Sequence, residues 1–116
     1  MTFEEAVLGT IEKMNQVMDG VNNEKPNWSQ LFFVFVDQCS LCHKYHQRVT
    51  AAFVSIENCG ACPIFMETRE ACNRSPIFMN VQLALMRCDR QTCLQSLPQV
   101  IAELRKLLEL KDVYGS

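Results

Sequence analysis

Long apolar stretches are missing from this chain. The longest, Leu31-Phe32-Phe33-Val34-Phe35-Val36, falls far short of the roughly 20 residues a helix needs to cross a bilayer, so no membrane-spanning role is expected. A secretory leader is missing too: Met1-Thr2-Phe3-Glu4-Glu5 is acidic where a leader would be basic and then continuously apolar. Nor is there a surplus of positive charge. Eleven Lys and Arg stand against 13 Asp and Glu, a net charge of −2, whereas binding to phosphate backbone or anionic lipid draws on the opposite balance. One short basic cluster, His43-Lys44-Tyr45-His46-Gln47-Arg48, reads by default as a solvated helix face, with a nucleic-acid partner as the less favoured alternative. Internal repeats and low-complexity tracts are absent. So are the hydrolase elbow, the glycine-rich phosphate loop, the His-Glu-x-x-His pair and the dinucleotide fingerprint, and no common catalytic motif marks the chain as an enzyme.

What is present describes a folded domain. The chain has 116 residues, 48% hydrophobic and 21% charged, which suits one globular domain over 1–116 and argues against disorder. A domain of this size has a real core, yet a bound metal or a partner subunit still matters to its stability. Seven cysteines are many and their number is odd. With no sign of export, the expected setting is the reducing cytoplasm, where clustered cysteines are more often metal ligands or redox thiols than disulfides.

Helical periodicity dominates. Phe3, Val7, Ile11, Met14, Met18 and Val21 recur at steps of three and four, on one face of a first helix. Thr2 with Glu5 forms a capping box at its start, and Gly20 reads as its stop. Near the end, Ser96 with Gln99 reads as another box with Pro98 in the first turn, ahead of a buried stripe of Val100, Ile101, Leu104, Leu107 and Leu108. Ser75-Pro76 opens the helix before it, which carries Phe78, Val81, Leu85 and Cys88. Between these, Trp28, Leu31, Phe32, Phe35, Cys39, Cys42, His46, Val49 and Phe53 keep helical steps. One long helix from about Asn27 to Phe53 is therefore expected, capped by Asn27 with Gln30 three residues on. A buried strand over Leu31–Val36, ending before Cys39, is the competing reading. The expected fold is all-α, a small bundle of four to five helices stabilised by a zinc site.

Two C-x₂-C pairs carry the chemistry. Cys39-Ser-Leu-Cys42 and Cys59-Gly-Ala-Cys62 are separated by residues 43–58, a spacing that suits four-cysteine zinc sites. Each short turn aims two thiolates at one ion, and a second pair closes the tetrahedron. Gly60 allows a tight turn between sulfurs, and a helix opening at Pro63 would set its dipole to favour thiolate. This ligand set requires the second helix to break after His46. An unbroken helix would instead gather Cys39, Cys42, and His43 or His46 with Cys72. The first set, Cys39, Cys42, Cys59 and Cys62, is the expected one. Cys72, Cys88 and Cys93 read as ordinary core or surface cysteines, His46 as a core histidine, and the methionines as core filler rather than copper ligands.

Two further resemblances are local. The apolar run Leu31–Val36 followed by C-x₂-C resembles the redox turn of thioredoxin-like proteins, which would make Cys39 the attacking thiol and Cys42 the resolving one. No β-hairpin is legible after residue 62 to complete that fold. Cys39-Ser-Leu-Cys42-His43 is similar to the attachment motif of c-type haem, which normally goes with export. A closed four-thiolate zinc site is structural. The function expected is thus that of a small zinc-binding, non-enzymatic regulator or adaptor acting through a protein partner. A dithiol oxidoreductase and a zinc-containing nucleic-acid binder are the alternatives, and a second copy of the chain is a further class of partner. Trp28, Phe32, Phe33 and Phe35 are numerous enough that some are expected to face a partner.

Overall fold

A computed structural model describes residues 2–36, 47–51, 54–58 and 76–114, with backbone alone for the two short runs and for Tyr114. Helix α1 (Phe3–Val21) starts where the sequence places it: the Thr2 hydroxyl accepts the Glu5 N–H at 3.1 Å. Phe3, Val7, Ile11, Met14 and Val21 are buried along it, Met18 is half-buried, and Ala6, Thr10 and Val17 widen the stripe. Thr10 satisfies its buried hydroxyl by donating to the Ala6 carbonyl at 2.9 Å. Gly20 does not stop the helix; Asn22 ends it by donating to the Met18 carbonyl. Gly20 serves packing instead. A Cβ there would overlap Leu31 Cδ2 and come within 3.3 Å of Leu31 Cγ, so glycine lets α1 and the next helix approach closely.

Helix α2 (Trp28–Val36) is capped as expected, the Asn27 side chain accepting the Gln30 N–H at 3.2 Å. Leu31–Val36 is helical, which removes the strand reading of that run. The long helix to Phe53 is also corrected. Gln47–Ala51 forms strand β1 and Val54–Asn58 strand β2, paired antiparallel from Gln47↔Asn58 to Ala51↔Val54. The β-branched residues Val49, Thr50, Val54 and Ile56 favour the pleated strand, and Val49 lies directly opposite Ile56. The apolar steps that run from α2 through Val49 are shared by two different elements.

Helix α3 (Pro76–Met86) opens at its proline, and Phe78, Val81 and Leu85 are buried as expected. Helix α4 (Arg90–Leu108) starts six residues before the expected Ser96 cap. Asp89 is the cap: its carboxylate accepts from the Thr92 N–H at 3.1 Å and from the Thr92 hydroxyl at 2.6 Å. Ser96 is buried inside the helix beside Cys93 and Leu97, and Pro98 lies in the helix interior rather than its first turn. Val100, Ile101, Leu104 and Leu107 complete the buried stripe, with Leu108 half-buried. A last turn, α5 (Lys111–Tyr114), follows.

The helices close a ring. Helix α1 packs on α2 and α4, α3 packs on α2 and α4, and the short α5 touches α1. Their inward stripes share one core that holds Phe3, Leu85, Leu97 and Leu104 almost fully out of solvent. Phe35 and Phe78 meet across α2 and α3 with ring centroids 6.4 Å apart. Arg90 ties the ring shut by donating to the Asn23 carbonyl at 2.8 Å, joining the start of α4 to the turn after α1. Among the described residues the structure is thus a bundle of five helices, with the paired strands β1 and β2 between α2 and α3 in the chain.

Candidate functional site

The four proposed ligands, Cys39, Cys42, Cys59 and Cys62, lie outside the described residues, as do His43, His46 and Cys72. Among the described residues no group of three or more His, Cys, Asp or Glu side chains is placed to hold a metal ion. What the structure does describe is the frame around the two pairs. Helix α2 ends at Val36, three positions before Cys39, and β2 ends at Asn58, immediately before Cys59. The hairpin fills most of the spacer, and its outermost pair is Gln47↔Asn58. Paired residues in an antiparallel ladder have Cα atoms about 5 Å apart, so the chain enters and leaves the hairpin side by side. An unbroken helix to Phe53 would have put about 16 Å between Cys42 and its own far end; the strand pairing instead sets residues 47 and 58 side by side.

The two described cysteines are a contrasting pair. Cys93 is buried on α4, and burial, aided by the charges of Asp89 and Cys88, pushes its thiol up to about 11. It is neutral at physiological pH and behaves as a small core residue, one of the two ordinary positions, core or surface, that the sequence left open. Cys88 is exposed in the turn after α3, outside the helical stripe to which its spacing assigns it. The Asp89 carboxyl is held below the usual carboxylate range, first by the Thr92 hydroxyl and then by the Thr92 backbone N–H. That is the signature of a helix cap rather than of a catalytic acid.

An open groove of about 420 Å³ runs between α1 and α4, lined by Asn15, Met18, Pro98, Ile101, Arg105 and Lys106 among others. Lys106 is already engaged by Glu103 at 3.2 Å. No cysteine, histidine or serine lines this groove, so it offers no nucleophile.

The outer side of α2 and α3 is different in kind. Neither WSQLFFVFV nor PIFMNVQLALM contains an ionisable side chain, so two neighbouring helices of the ring carry no charge. On α3, Met79, Leu83 and Met86 are spaced four and three apart, on the face turned away from Phe78, Val81 and Leu85; all three are exposed, Met86 at 62%. On α2, Phe33 is 67% exposed and Val36, three residues on, is exposed with it. Phe33 stands edge-on to the half-buried Phe32, with centroids 5.8 Å apart and planes at 72°. Of the aromatic residues expected to face a partner, only Phe33 is exposed; Phe35 is buried, and Trp28 and Phe32 pack against the core. The signal that could have found Met79, Leu83 and Met86 is in the sequence, as a second apolar stripe on a helix whose first stripe is already buried. No helix among the described residues is long and apolar enough to cross a membrane. No family model, curated protein or solved structure matches the chain.

Proposed function

We propose that this protein is a small zinc-stabilised helical module that works by binding protein rather than by catalysis, as a regulator or adaptor. The observation that carries the reading is that α2 and α3, packed on each other, hold no ionisable side chain, while Phe33 on the first and Met79, Leu83 and Met86 on the second are each exposed. Scattered apolar residues are ordinary on a protein surface; two adjacent helices with no charge and outward-facing large side chains are the pattern of a contact surface. Methionine suits such a surface, because its unbranched side chain adapts to the shape it meets.

Zinc is assigned to Cys39, Cys42, Cys59 and Cys62. Support comes from the hairpin register, which lets the two ends of the spacer leave as neighbours, and from the chemistry of four thiolates at C-x₂-C spacing. Four thiolates leave no open position for water, so the ion would hold the segment between α2 and α3 in shape and do no chemistry of its own. The cysteines work this way in a reducing intracellular compartment. The oxidoreductase alternative loses its structural parallel, because the run before Cys39 is helix α2 and not a strand.

The test is site-specific photo-crosslinking in cells. A photoreactive residue replacing Leu83, on the proposed surface, is expected to form protein adducts that excess unlabelled chain competes away. The same residue replacing Gln95, exposed on α4, is expected to form none. Equal labelling from both positions, or none from either, would sink the reading.

A further inference from the structure

We draw no further inference here: the strongest candidate, the exposed apolar side chains on the outer side of α2 and α3, belongs to the contact surface already proposed, and nothing in the structure shows what covers it.

Discussion

Cys88 is held at φ 56°, the one left-handed non-glycine residue among those described. It sits just past the end of α3, where the Asp89 N–H donates to the Ala84 carbonyl at 2.9 Å and the Cys88 N–H to the Leu85 carbonyl at 3.2 Å. These two bonds form a Schellman close, in which glycine is the usual occupant of the left-handed position because a Cβ there crowds the following carbonyl. Cys88→Gly is therefore expected to raise stability by about 1 kcal/mol, read as a higher midpoint in urea unfolding. An unchanged or lower midpoint would show that the thiol makes up for the strain. The cysteine's spacing from Phe78, Val81 and Leu85 suggested a buried position, and the residue is instead the first one beyond the helical stretch and its end cap. A periodicity test registers the interval between residues but not the turn that ends the helix. For Cys93 the sequence left core and surface open; the structure buries it, and its raised thiol pKa follows from that burial.

At the scale of elements, α4 shows how a cap and a proline compete. Ser96, Pro98 and Gln99 have the residue types of a helix start, and the helix nevertheless begins at Arg90. Asp89 forms two bonds to Thr92, and the turn it caps buries Cys93 and Leu97 in the core. This cap contributes stability above the ordinary carboxylate range, and that contribution fades as pH falls through the lowered value of Asp89. Burying Cys93 and Leu97 outweighs the disruption by Pro98, which has no N–H to give to the Leu94 carbonyl. Pro98 is exposed on the groove side of the helix, so its removal opens no cavity. Pro98→Ala should stabilise the protein by about 2 kcal/mol, visible as a raised thermal midpoint with unchanged or slightly increased helicity. A loss of stability would mean that the proline shapes α4 to fit α1. The stretch from Asn27 to Phe53 teaches a related lesson. Its apolar residues keep helical steps throughout, but Val49 and Ile56 satisfy a strand pairing just as well, and only a partner strand decides between the two.

For the whole molecule, the proposed zinc site belongs to the segment that connects α2 to α3 in the chain. Elemental analysis of untagged, reduced protein should find about one zinc per chain. Cys39, Cys42, Cys59 and Cys62 should resist thiol reagents until a chelator is added, and chelation should lower the helical signal and the unfolding midpoint. Metal-free protein with a readily oxidised Cys39–Cys42 pair would refute the zinc assignment and turn attention to disulfide exchange.

The sequence alone determined that the chain folds around amphipathic helices. The stripes of α1, α3 and the second half of α4, and the caps at Thr2 and Asn27, rest on near neighbours along the chain and so are visible in its order. Tertiary structure decided the rest. It put Gly20 against Leu31, carried α4 back to Asp89, and paired residues 47–51 with 54–58 as antiparallel strands. Contacts distant in sequence also chose which apolar side chains enter the core. Phe35 and Phe33 are two residues apart in the same charge-free run, and only the position of α3 buries the first and leaves the second facing outward.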